Sequence, residues 1–159
     1  MNKGNALDSA SIEISLATAQ DLENIETCAR KAYAQYVEKI GREPAPMTAD
    51  FSDQIERGHI HVARYRSAFT GFVVFYQIND NLQLENIAVS PHWTGNGIGR
   101  KLIEFAEVTA RDADLIAVTL YTNEAMTENL KMYSRLGYIE TERKKQDGFA
   151  RVFYRKSVR

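Results

Sequence analysis

The chain has 159 residues, 44% of them hydrophobic and 26% charged, with a formal net charge of −1. That length and apolar content suit one domain around one core, and the near-neutral charge argues against nucleic acid or an anionic membrane as a partner. The single cysteine, Cys28, excludes a disulfide framework and favours a reducing compartment.

Residues 1–10 are small and polar without periodicity and read as a flexible N-terminal arm, followed by a single domain over 11–159. The start has no apolar core of signal-peptide length, and no window reaches roughly 18 apolar residues, so a cytoplasmic protein is expected. Ile12, Ile14 and Leu16 alternate with polar residues as in a strand with one buried face. Thr18 and Asp21 form an imperfect capping box, and apolar residues then recur at helical spacing up to Gly41, as one long helix or two short ones. Pro44 and Pro46 make residues 42–47 a semi-rigid loop. Thr48 or Asp50 can cap a short helix carrying Phe51 and Ile55, which stops at Gly58.

Residues 59–65, 69–78 and 82–89 are β-rich runs joined by Arg66-Ser67-Ala68 and Asn79-Asp80-Asn81, which makes an antiparallel meander. A helix from near Gly99 and a strand over 115–121 complete a crossover, so the strand ending at Val89 and the next one should be parallel. A helix over 125–136 and a hairpin of 138–143 with 150–156, turning at Gln146-Asp147-Gly148, close the chain. The fold class expected is α/β (α+β): a mixed, mostly antiparallel central sheet with helices on both faces.

The most informative stretch is residues 82–105. An apolar run ends at Ser90-Pro91, three glycines alternate at positions 95, 97 and 99, and a helix begins. Glycines let the backbone come close to a ligand, and the free N–H groups of a helix start point at an anion that the dipole also favours. An anionic cofactor is expected. A P-loop needs Gly-Lys-Ser/Thr, whereas Arg100-Lys101-Leu102 follows Gly99, and the spacing is not that of a dinucleotide fingerprint.

Thr94-Gly95-Asn96-Gly97-Ile98-Gly99 resembles the signature of the GNAT superfamily of acyl-CoA-dependent N-acyltransferases. Leu130-Lys131-Met132-Tyr133-Ser134-Arg135-Leu136-Gly137-Tyr138 is similar to that family's second marker, and the resemblance covers nearly the whole chain. Thr94 stands where glutamine or arginine is usual, and Met126 replaces a common asparagine. The resemblance implies a GNAT fold in which the strand ending at Val89 and the one that follows splay apart to receive pantetheine. It implies acetyl-CoA as cosubstrate, paired with the main chain of Ile87 and Val89. Amides of Thr94, Gly95, Gly97, Gly99 and Arg100 would hold its pyrophosphate, with Asn123 and Asn129 beside it.

Amide formation from a thioester and an amine needs a proton removed, an oxyanion stabilised and a proton given to the leaving thiolate. The resemblance places Tyr133 as the general acid, with Glu85 as the candidate base and the Val89 N–H as the oxyanion donor. Tyr133 can equally be a packed core tyrosine, and Glu85 a solvated strand residue. Acceptor candidates are Tyr33, Tyr36, Arg42 and Met47, with Trp93 at the lip. Tyr33 and Tyr36 share a helical face and also suit the core, while Arg42 can clamp a substrate carboxylate or simply be solvated. Cys28 reads as structural, and His59, His61 and His92 lack zinc-ligand spacing, so no metal is expected. The function expected is acetyl transfer from acetyl-CoA to a primary amine of a small molecule or peptide. The alternative is a CoA-binding sensor without turnover. Dimers are frequent in the family, so a homodimer is among the expectations.

Overall fold

The structure, a computed structural model, describes residues 7–159. Of the arm expected over 1–10, positions 1–6 lie outside the described residues. Leu7 packs against the core, and Asp8 accepts from the Ala10 N–H to open a short turn. The elements are β1 (Ile12–Leu16), α1 (Leu22–Ile40), α2 (Phe51–Glu56), β2 (Ile60–Tyr65), β3 (Ala68–Ile78), β4 (Asn81–Val89), α3 (Ile98–Asp112), β5 (Ala117–Asn123), α4 (Thr127–Arg135), β6 (Ile139–Gln146) and β7 (Phe149–Ser157). The strands form one sheet ordered β1-β2-β3-β4-β5-β7-β6, in which the β4–β5 pair is parallel and the other pairs are antiparallel.

The long periodic segment is a single helix, stopped where Gly41 turns left-handed at φ +84 and bonds the Val37 carbonyl. Its buried residues Ile25, Cys28, Ala29, Tyr33 and Tyr36 meet Ile60, Val62, Phe72 and Val74 on one face of the sheet. On the other face Ile98, Leu102, Ile103 and Ala106 of α3 meet Val73, Phe75, Leu84 and Val118. Each fully buried Val, Leu, Ile or Phe among them contributes about 1.5–3 kcal/mol relative to exposure. The β2–β3 and β3–β4 turns are two residues long, Arg66-Ser67 and Asn79-Asp80, so Ala68 and Asn81 belong to strands. β5 starts two residues later than expected because the Leu115 N–H still bonds the Ala110 carbonyl at the end of α3. Burial pushes the Cys28 thiol up to about 11, which fits its structural reading.

Two features of β4 position the site. The first is its parallel pairing with β5, which runs only over Asn81–Leu84 against Ala117–Leu120. Beyond Leu84 the strands part. The second is a bulge: Leu84 pairs with Phe75 and Asn86 with Val74, so Glu85 has no partner on β3. As a result Leu82, Leu84, Ile87 and Val89 all pack toward α3, while Asn86 and Ala88 face α1.

Where β4 ends it lies close against β3, because a Cβ on Gly71 would sit 2.6 Å from the Ala88 carbonyl oxygen and 3.2 Å from the Val89 Cα. Gly71→Ala must therefore displace backbone, and the expected loss is about 1–3 kcal/mol of unfolding free energy. Denaturant unfolding checks this, and an unchanged midpoint would show that β4 yields freely.

Candidate active site

The gap between β4 and β5 opens on one side into a groove of about 550 Å³. It is walled by Tyr36, Val89, Thr94, Gly99 and Met132. At its outer end the chain makes a short turn over Pro91–Trp93, tied by the Thr94 hydroxyl to the Pro91 carbonyl at 2.9 Å. The Asn96 amide donates to the Trp93 and Thr94 carbonyls at 3.0 and 3.2 Å. Gly95 and Gly97 have φ of +80 and +78, conformations that an L side chain resists. Among the described residues, the N–H groups of Gly97, Ile98, Gly99 and Arg100 have no acceptor, and the α3 ladder begins with the Lys101 N–H on the Gly97 carbonyl at 3.0 Å. Free donors at a helix start are the groups an anion can use. The Arg100 guanidinium itself is exposed and pairs with Glu104 at 3.1 Å, so Arg100 offers the loop its N–H.

On the inner side of the gap lies a smaller cavity of about 50 Å³, with Glu85, Tyr121, Asn123, Phe149 and Arg151 in its wall. Groove and cavity share Tyr33, Ile87 and Asn129. The Tyr33 hydroxyl lies 2.7 Å from Asn86 Oδ1 and 3.0 Å from the Ile87 carbonyl, one proton between two acceptors. Because the Ile87 carbonyl bonds α1 in this way, it points away from β3. Alternation along the ladder turns the main chain of Val89 the same way, into the gap, whereas the Ser90 N–H bonds Thr70 on β3 at 2.8 Å. The main chain of Ile87 and Val89 thus faces the gap, with the Ile87 carbonyl already bonded to Tyr33.

Tyr133, 3% exposed, sits in the cavity wall, its ring held by those of Tyr138 and Tyr154 at 5.7 and 5.8 Å. Its hydroxyl has no hydrogen-bond partner among the described residues. Burial first, then the neighbouring Tyr154, raises its pKa well above the ordinary phenol value, so it is protonated at neutral pH. Glu85, carried into the cavity by the bulge, accepts from Gln54 Nε2 at 3.0 Å and the Tyr76 hydroxyl at 3.4 Å.

The remaining expected site residues divide between positions. Asn129 reaches both spaces, with its amide 3.6 Å from the Met126 sulfur. Asn123 lines the inner cavity rather than the groove, and its Oδ1 caps the Ala125 N–H at 2.9 Å. Tyr36 borders the groove; Met47 packs in the α1-side core; Trp93 leans on Tyr65 at 5.8 Å, outside both spaces. Arg42 is exposed at the outer rim, its guanidinium 4.2 Å from the Phe149 ring centre. Two residues escaped the sequence reading. Asn86, 4% exposed, holds Tyr33 and donates to the Pro46 carbonyl at 3.0 Å, which anchors the loop to β4. Arg151, 7% exposed, brings a buried cation to the cavity; its signal was an arginine alternating with Phe149 and Phe153 in the last strand.

The acetyltransferase (GNAT) family model matches residues 20–138, a span that holds the whole loop, the gap and Tyr133. The chain belongs to the GNAT acetyltransferase family. That family uses acetyl-CoA, and the seven-stranded sheet with its parallel β4–β5 pair is a GNAT fold. Ard1 from Thermoplasma volcanium superposes with a TM-score of 0.75 at 15% identity, covering 92% of this chain and 97% of that one. The ribosomal-protein-S18-alanine N-acetyltransferase from Escherichia coli gives 0.75 at 20% identity, with 92% and 94% covered. The PaiA N-acetyltransferase from Thermoplasma acidophilum, in complex with coenzyme A, gives 0.73 at 17%, with 90% and 98% covered. At these identities the likeness carries the GNAT fold and nothing finer. No curated protein matches the sequence. Among the described residues no helix is long and apolar enough to cross a membrane, and no cluster of three His, Cys, Asp or Glu side chains suits a metal.

Proposed function

We propose that the protein transfers an acetyl group from acetyl-CoA to a primary amine by direct attack, both substrates being bound at once. The observation that carries this reading is the meeting of groove and cavity at Tyr33, Ile87 and Asn129, with Tyr133 in the wall and the free N–H groups of Gly97 to Arg100 at the outer end. A thioester lying along the groove with its pyrophosphate on those amides would bring its acyl carbon to Val89, whose N–H would stabilise the oxyanion. The amine enters from the cavity. The ammonium proton leaves through Glu85 directly or by water and the freed amine forms the N–C bond; as the C–S bond breaks, the nitrogen's second proton neutralises the departing thiolate, which the Tyr133 hydroxyl supports by a hydrogen bond. The coenzyme A bound in the Thermoplasma acidophilum relative supports the cosubstrate.

Release of free CoA thiol, followed across small amines, amino acids, polyamines and N-terminal peptides, tests the reading. Acetyl-CoA binding with no turnover on any acceptor would leave a sensor instead. The role of Glu85 has its own signature. Glu85→Gln should lower kcat/KM most near pH 7, where an amine of pKa about 10 is almost wholly ammonium, and the loss should shrink as pH rises and free amine accumulates. Superimposable pH profiles for the two proteins would remove Glu85 from the reaction.

A further inference from the structure

The inner cavity has two charged side chains in its wall, Glu85 and Arg151. Arg151 calls for a physical reason, because a guanidinium stays protonated in any protein and is costly to take out of water. Its partners cover only part of it. Nη1 donates to Gln146 Oε1 at 2.9 Å and reaches Asp147 Oδ2 at 3.4 Å. The guanidinium lies 4.4 Å from the Tyr121 ring centre and 5.5 Å from that of Phe149. Nε and Nη2 have no acceptor among the described residues, and the Asp147 side chain is 78% exposed, so its charge is largely screened by water. What remains is a fixed planar fork with donors to spare, the geometry that a carboxylate fills with two parallel bonds.

The size and roof of the cavity limit what can bring that carboxylate. About 50 Å³ accommodates a small molecule or a few waters. Arg42 stacks on Phe149 and reaches the Asp147 carbonyl at 3.5 Å, so the loop after α1 meets the β6–β7 turn over the outer side. Pro46, pinned by Asn86, lines the cavity beneath. Arg42, the expected clamp, is exposed and lies in this outer contact rather than in the cavity wall.

We propose that Arg151 is the specificity-determining residue for the acceptor and that the acceptor is a small amino acid, its carboxylate held by the Arg151 fork and its amine presented to the β4 edge. This rests on the transferase reading above. The same positive charge disfavours a polyamine, whose far end is a second ammonium, and the roof disfavours a long peptide.

The test measures CoA release by the full chain on matched acceptors: amino acids, their carboxamides, the corresponding amines without the carboxyl group, a diamine and an N-terminal peptide. Free acids should exceed their carboxamides and decarboxylated amines by about 30-fold or more in kcat/KM, the scale of a charge-assisted hydrogen bond. Arg151→Gln should raise KM for the acid by a similar factor with kcat much less changed, so that acid and carboxamide become alike, and Arg151→Lys should restore part of the preference. Unchanged acetyl-CoA affinity by calorimetry shows that the variants fold. Equal use of acids and uncharged analogues by the wild type overturns the inference without needing any variant, as does preferred use of the peptide or the diamine. If nothing in the panel is acetylated although acetyl-CoA binds, the transferase reading fails instead.

Discussion

Gly97→Glu is expected to abolish acetyl-CoA binding in a protein that still folds. Gly97 stands at φ +78 just before α3, and the N–H groups of residues 97–100 have no acceptor among the described residues. A Cβ there meets nothing within 4 Å, so the structural cost is the left-handed backbone of a non-glycine residue, about 1–2 kcal/mol. The carboxylate is another matter, because it brings a negative charge to the donors that a pyrophosphate needs. Calorimetry should show affinity lower by about 10³-fold or more, whereas Gly97→Ala, with the same backbone strain and no charge, should lose far less. Micromolar binding by a folded Gly97→Glu protein would mean that the anion site is elsewhere.

Tyr133→Phe should lower turnover about 10²-fold or more with acetyl-CoA affinity nearly unchanged. The hydroxyl has no hydrogen-bond partner among the described residues, so its removal leaves no buried group unpaired, and the ring contacts with Tyr138 and Tyr154 survive. The raised pKa refines the chemistry expected of it. A phenol held well above its ordinary value is a weaker acid than a thiol, so complete proton transfer to the thiolate is uphill, and a hydrogen bond that strengthens as sulfur gains charge carries most of the effect. Wild-type turnover in the variant would return Tyr133 to the core.

The order of elements was legible in the sequence because each segment has a clear period and clear punctuation, from the β1 alternation to the glycine after α1. The glycine loop was legible for the same reason: its chemistry resides in consecutive main-chain groups. The bulge was not. Strict alternation would put Leu82, Leu84, Asn86 and Ala88 on one face, whereas the extra residue at Glu85 regroups Leu82 and Leu84 with Ile87 and Val89. Nothing local marks such an insertion, which is defined only against the partner strand. Arg151 escaped for a related reason. Its neighbours Tyr121, Gln146 and Phe149 come from two other elements and its own strand, and a buried arginine differs from a solvated one only in that company.

The early parting of β4 from β5 has a further consequence for how the protein keeps to itself. A sheet edge exposes a row of unpaired donors and acceptors, which invites the strands of other chains and so aggregation. Here the two open edges lie inside the sheet rather than at its rim, flanked by α1 on one face and α3 and α4 on the other. A foreign strand, with side chains above and below its backbone, would collide with those helices. A thin, extended arm carrying amides at intervals can slide between them and bond the edge as a guest strand would. The same opening thus selects for the shape of its ligand and screens out the commonest unwanted one.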